Sequence, residues 1–283
     1  MLKAIPDSEI KALISLIQEE EEDNADRLKG ELASIIRLNP ERVESIVTHE
    51  FSANTPQFLL DLLEETRWEA LEKMFMRLAM PANADVNLEE GLFLLSKFAY
   101  PAISLMDISA PLDAMAQDME TAVGDTDSLE KVIDVFHDVV FGKNGFAGHE
   151  LNSFSPDNVY LYSVLKNRRG TPVTMAAVYM LLGRRLNVRI TGVDFPGHYL
   201  VAFKAKNGAL LVDPYNGGKI ITEKECRDIV ARRGMRWTPE FLRASDSAGT
   251  IARSISNLIF IYNKLKDEKK NVYLKRYMEL LQD

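Results

Sequence analysis

Cys226 is the single cysteine in 283 residues. One thiol excludes any disulfide within the chain and suits a reducing compartment. Long apolar runs are missing too: no stretch approaches the roughly 18–20 apolar residues that a bilayer-spanning helix needs. The N-terminal segment reaches the acidic run 19–23 without an extended hydrophobic region, so no secretory leader is expected. Together these absences make the cytoplasm the expected location and a membrane partner unexpected. The histidines, His49, His137, His149 and His198, include no pair four apart and have no cysteine cluster beside them. No metal site is expected from such a set. No glycine-rich phosphate loop appears, and no cofactor is expected. An excess of basic charge is also lacking, the net charge being −8. Duplex DNA, which needs a basic surface to neutralise phosphates, is therefore not expected as a partner.

The charge that is present is uneven. Residues 1–122 hold 24 acidic and 10 basic side chains, a net of −14, which leaves 18 acidic and 24 basic, a net of +6, for residues 123–283. Solvated helix faces account for most such asymmetry. Apolar residues make up 46 % of the chain, enough to build a sizeable core rather than a disordered segment.

The first 82 residues read as helices alone. Ile10, Leu13, Ile14 and Ile17 follow the 3, 4, 7 spacing of one buried face over 8–22. A second helix over 25–38 is expected to stop at Asn39-Pro40, and Thr55-Pro56 to open a third, with Thr as N-cap and Pro in the first turn. Such helices suggest a small bundle or HEAT-like region, although no repeat period emerges. Further amphipathic helices are expected over 87–99, 108–123 and 126–141.

The pattern changes after Gly145. Ser155-Pro156-Asp157 opens a helix closed by Gly170, and the next begins at Thr171-Pro172. From Val173 to Leu182 only Thr174 is plainly polar, the mark of a helix buried all round. Strand-like runs follow at 189–195, 199–204 and 210–213, the last two flanking Asn207-Gly208, a strong hairpin signal. Helices resume over 222–233, 248–265 and 272–281. The expected fold is α+β and mostly helical. A helical N-terminal domain (1–82) precedes a core of one buried helix on a small antiparallel sheet (83–225), and a helical tail (226–283) follows.

Gly145-Phe146, Asn152, Asp157-Asn158, Val164-Leu165, Arg168-Arg169-Gly170, Pro172, Tyr179, the run Phe195-Pro196-Gly197-His198-Tyr199-Leu200-Val201 and Asp213-Pro214-Tyr215 resemble the SirB family of bacterial transglutaminase-like proteins. The close likeness covers 145–218, with a weaker trace at Leu88-Glu89-Glu90-Gly91 and Leu112-Asp113. It implies a papain- or transglutaminase-like core and a cleft that holds His198 and Asp213. In the enzymes of that superfamily a reactive cysteine begins the buried helix, where the macrodipole and free amides favour a thiolate. Counted back from Asn187, where the chain turns toward the first strand, that position is Pro172. The proline removes the thiol and also a backbone N–H, a donor type worth about 3–4 kcal/mol at an oxyanion. A cysteine hydrolase or transglutaminase is therefore not expected.

The candidate site comprises His198 and Asp213 as a retained pair, with Asn152, Thr171, Pro172, Thr174 and Tyr215 as binding residues. Thr171 is expected to hold its hydroxyl on helix amides as an N-cap, and Thr174 to bond back to the preceding turn, so neither reads as a nucleophile. Cys226, with Ile229 and Val230, reads as a small buried hydrophobe. Arg168, Arg169, Arg184, Arg185 and Arg189 gather near the ends of the buried helix, where they could clamp an anion, though solvated surface is the plainer use. His198 is expected to be exposed to the cleft. In a hairpin centred on Asn207-Gly208, Asp213 lies opposite Ala202, on the face of His198 but about 13 Å along the strand. A bulge, or a turn shifted by one residue, would halve that offset. The leading functional expectation is an altered or noncatalytic member that binds a peptide, protein segment or small ligand. The alternative is a cysteine-independent hydrolase or acyltransferase with His198 as general base.

Overall fold

The structure, a computed structural model, describes residues 5–19, 22–51, 55–80, 86–124, 126, 128–149, 154–205 and 208–282. The chain divides into two compact units, Met1–Leu71 and Glu72–Asp283. The first unit contains α1 (Asp7–Glu19), α2 (Glu22–Leu38), α3 (Pro40–Glu50) and the start of α4 (Gln57–Ala79). Ile10, Ile14, Leu32, Ile36, Val43 and Leu59 meet in its core. The helix α3 is a correction to the sequence reading, which ended a helix at Asn39-Pro40 and began none there. Pro40 opens α3 at its first turn, where a missing N–H goes unnoticed and a preset φ helps.

The second unit is built around one helix. In chain order it carries α5 (Leu88–Lys97), α6 (Met106–Val123), α7 (Leu129–His137), β1 (Ala147–Gly148), α8 (Leu161–Asn167), β2 (Arg169–Gly170) and α9 (Pro172–Arg185). Then come β3 (Ile190–Val193), β4 (Leu200–Ala205), β5 (Gly208–Asp213), β6 (Lys219–Ile221) and α10 (Glu223–Arg232). β7 (Ala244–Ser245), α11 (Ser247–Leu265) and α12 (Glu268–Leu280) complete it. Every residue of α9 from Val173 to Gly183 is buried. At about 1.5–3 kcal/mol for each large apolar side chain removed from water, that burial outweighs the modest helix propensity of Val and Thr. α9 packs on α5, α6, α11, β3 and β4. Phe203 of β4 meets Tyr179 of α9 edge-on at 6.1 Å, and Phe136 at 5.2 Å.

The sheet is antiparallel throughout, in the order β6-β5-β4-β3-β7. Its edge strands β6 and β7 were not foreseen, because three and two residues carry too little alternation to read. The sequence reading set its divisions at 82/83 and 225/226, whereas the compact units divide at 71/72 and α10 to α12 belong with the core. The reason is packing: Tyr277 of α12 stacks on Phe75 of α4 at 4.8 Å and meets Phe98 edge-on at 5.9 Å. No helix among the described residues is long and apolar enough to cross a membrane.

Candidate functional site

The histidine is set by a tight turn. The amide of His198 donates to the Phe195 carbonyl at 2.8 Å, with Pro196 and Gly197 between them. Gly197 has φ +66°, and a proline followed by a residue at positive φ is the pattern of a type II turn. Arg233, at the end of α10, donates to the carbonyls of Pro196 and Gly197 and so ties the turn to that helix. A Cβ on Gly197 would collide with this guanidinium.

Asp213 closes β5. Its Oδ1 accepts from the backbone amides of Tyr215 and Asn216, both at 3.1 Å. Its Oδ2 accepts from Asn216 Nδ2 at 2.7 Å and from His198 Nε2 at 2.8 Å. Burial opposes the charged form, but the hydrogen bonds from His198 and Asn216 outweigh it. The carboxyl is thus held below its ordinary value. A carboxylate only accepts, so Nε2 of His198 carries the proton and Nδ1 of the neutral ring carries the lone pair. Among the described residues Nδ1 has no hydrogen-bond partner. The imidazole is more enclosed than expected, its side chain being only 15 % exposed.

The register explains how the pair forms. Ala205 pairs with Gly208 and Val201 with Val212, so continuing the ladder sets Asp213 opposite Leu200 rather than Ala202. The hairpin is shifted by one residue from the reversal at Asn207-Gly208, and His198 becomes a diagonal neighbour of Asp213.

Tyr215 links this pair to the start of α9. Its ring stands edge-on to His198 at 5.7 Å and to His149 at 5.5 Å, and its hydroxyl donates to the His149 carbonyl at 2.9 Å. Burial and the nearby charge of Asp213 raise the pKa of that phenol, which keeps its proton. Gly148 lets the ring in, since a Cβ there would lie 2.7 Å from it. His149 in turn donates from Nδ1 to the carbonyl of Gly170 at 3.3 Å, two residues before α9. His149 and Asn216 are thus part of the site, and the sequence reading missed both. Asn216 had a signal, because an Asp followed by Pro and, at the third position, Asn favours a side-chain-capped turn. His149 had none, since its meaning depends on Tyr215, sixty-six residues away in sequence.

At the helix start, Pro172 occupies the first position of α9 after Thr171. Thr171 makes no cap bond to helix amides, contrary to expectation. Thr174 Oγ1 donates to the Val159 carbonyl at 3.1 Å, so the proton in the 2.9 Å contact between the two threonine hydroxyls comes from Thr171. Both side chains are buried. Among the described residues no hydrogen bond or ring contact joins Thr171, Pro172 or Thr174 to His198; the recorded path runs through Gly170, His149 and Tyr215. Asn152 lies outside the described residues.

Cys226 is no substitute. It is buried among Val193, Phe195, Leu200, Ala202 and Val230, and burial, with nearby carboxylates, pushes its thiol up to about 11. Of the arginines near α9, Arg169, Arg184 and Arg189 are exposed, in keeping with solvated surface, whereas Arg168 and Arg185 are half-buried. Arg185 binds both oxygens of Glu89 at 2.9 Å and Asp113 at 2.6 Å. Arg184 bonds Ser247 at 2.7 Å and Arg169 the Gly145 carbonyl at 3.0 Å. Arg168 lies over the Phe146 ring at 4.7 Å. Among the described residues no three His, Cys, Asp or Glu side chains converge as a metal site.

A buried helix on an antiparallel sheet, with a histidine oriented by an aspartate, is the framework of transglutaminase-like domains. The pattern of the transglutaminase-like superfamily matches residues 106–256, 151 of the 283 residues, and the chain belongs to that superfamily. A UPF0162 protein of Xylella fastidiosa is 37% identical over 91 residues, 32% of either chain. A UPF0162 protein of Vibrio cholerae is 23% identical over 177 residues, 61% of this chain and 65% of that protein. F-box only protein 21 of Homo sapiens is 24% identical over 232 residues, 68% of this chain and 36% of that protein. The chain therefore spans about a third of the length of the Xylella and human relatives. These bacterial relatives accord with the SirB-type resemblance. No solved structure matches.

Proposed function

We propose that this chain is a transglutaminase-like protein that works without a catalytic thiol and uses the cleft at His198 and Asp213 to bind a peptide, a protein segment or a small ligand. One observation carries the reading: an imidazole held by Asp213 whose Nδ1 has no partner among the described residues, in a chain whose helix start holds Pro172 and whose single thiol is buried. Such a nitrogen accepts a hydrogen bond from a ligand N–H or O–H. We place the protein in the cytoplasm, in keeping with one reduced, buried cysteine.

The fixed tautomer also supports a second reading. An Nδ1 lone pair oriented by a carboxylate is the arrangement of a general base, so a water-activating hydrolase would use the same residue. Titration of the His198 ring nitrogens by 15N NMR against a panel of peptides, esters and amides separates the two. Recognition predicts ligands that shift Nδ1, lose affinity at least tenfold in His198→Ala, and are recovered unchanged. Turnover that disappears in His198→Ala would replace binding by hydrolysis. A panel that neither shifts Nδ1 nor is turned over would sink both.

A further inference from the structure

Apart from the histidine site, the sheet carries a second concavity. A groove of about 390 Å³ is lined by β3 to β6, the first turn of α10 and the segment leading into β7. That volume sits low in the range of small-molecule sites, about 300–1,000 Å³. Neither His198 nor Asp213 lines it. Its walls are mainly apolar, among them Val193, Ala202, Leu211, Ile221 and Leu242. Lys204 is the only cation in the lining and Glu223 the only anion.

The two charges are not equivalent. Glu223 is already neutralised, its Oε1 accepting from Nη2 of Arg227 at 2.6 Å and from Nε at 3.1 Å. Thr222, also in the lining, has its hydroxyl engaged with Glu225 in a capping box. Lys204 has no ion pair, side-chain hydrogen bond or ring contact among the described residues. An ammonium on a flexible stem keeps its head in water while its methylenes lie along apolar surface. It can therefore turn toward an anion at the mouth of the groove with no existing bond to break. Thr191 contributes a hydroxyl that is buried without a partner among the described residues, so it does not serve as the polar anchor.

We infer that this groove is a binding site for a small amphipathic carboxylate, with the apolar body on the sheet between Leu211, Ile221 and Leu242 and the carboxylate paired with Lys204. The inference does not depend on the His198 site, because no residue is shared between them. Apolar area supplies most of the affinity and the ammonium selects the head group.

Dodecanoate, methyl dodecanoate and dodecylamine, each kept below its aggregation concentration, serve as probes of the full chain. Binding is followed by titration calorimetry and by the methyl NMR signals of Leu211, Ile221 and Leu242. Dodecanoate should bind and shift those methyls, with the ester and the amine at least tenfold weaker. Lys204→Met keeps the stem and removes the charge. It should bring dodecanoate down to the ester's affinity and leave the ester unchanged, a loss of about tenfold or 1.4 kcal/mol. Ala209→Trp, at an exposed strand position in the lining, should fill the groove and abolish binding of both. Methyls that do not move with dodecanoate, equal affinities for the three head groups, or a Lys204→Met variant that binds dodecanoate unchanged would each overturn the inference.

Discussion

Replacing Asp213 by asparagine probes both stability and imidazole orientation. The carboxylate accepts four hydrogen bonds, two on each oxygen. An asparagine keeps one acceptor oxygen, which can stay on the amides of Tyr215 and Asn216. Its NH₂ group then faces two donors, Nδ2 of Asn216 and the protonated Nε2 of His198. The Asn216 amide can turn over and present its oxygen. His198 has to move its proton to Nδ1 and accept at Nε2. Hydrogen bonds to a charged group are worth about 1.5–3 kcal/mol each, and two are weakened, while relief from burying a carboxylate offsets part of the loss. A net cost of about 2 kcal/mol at pH 7 follows from those terms. For a unit of this size the melting temperature falls by about 2–4 °C per kcal/mol, so the shift is about 4–8 °C.

The pH dependence has a definite sign. Asp213 is held below its ordinary value in the folded chain, so the folded state binds fewer protons than the unfolded one in that range. Its contribution is complete above the unfolded carboxyl value of about 3.9 and is lost as pH falls through the lower folded value. Scanning calorimetry should find the Asp213→Asn deficit constant from pH 7 to about pH 5 and shrinking below about pH 4. In parallel, 15N NMR should show the lone pair of His198 on Nδ1 in the parent and on Nε2 in the variant. Equal melting temperatures at pH 7, a deficit that grows on acidification, or an unchanged tautomer would refute the reasoning.

Two further outcomes are expected. The Tyr179 hydroxyl is buried beside Gly218 with no hydrogen-bond partner among the described residues, so Tyr179→Phe should raise stability by up to about 1–3 kcal/mol; thermal denaturation checks it, and a clear loss would reveal a bond the hydroxyl makes. Pro172→Cys should fold with a loss of about 0.4–1 kcal/mol and give a thiol that alkylates far faster near neutral pH than Cys226, whose thiol is pushed up to about 11; a new thiol no faster than Cys226 would remove the helix start from the site.

The parts of this fold that were legible in the sequence are those with local causes. The unbroken apolar run from Val173 marks α9 because burial on all sides leaves no polar face. Gly197-His198 and Asp213-Pro214 stood out as chemistry-bearing residues at strand ends. The hairpin register was read one residue off because Asn207 and Gly208 both tolerate a reversal, whereas Gly208 is drawn into the ladder by pairing with Ala205. Helix α3 was hidden because a proline can end one helix and start the next. The Thr171 hydroxyl was misassigned for a tertiary reason: the carbonyl it depends on through Thr174 belongs to Val159, twelve residues before it in the chain.

The cage around Asp213 bears on what the His198–Asp213 pair is for. A buried ion pair or charged hydrogen bond contributes little net stability compared with apolar packing of the same volume, because desolvation takes back most of the attraction. Asp213, Asn216 and His198 together with the Arg233-tied turn are therefore a costly way to fill the end of β4 and β5. The arrangement does yield a fixed imidazole: one tautomer, one ring plane set by Tyr215, and one nitrogen without a bond among the described residues. A scaffold has no use for that nitrogen, whereas ligand recognition and base catalysis both need it. With Pro172 at the helix start and Cys226 sealed in the core, the orientation persists without a thiol to activate, which is why the proposed reading rests on the acceptor at Nδ1.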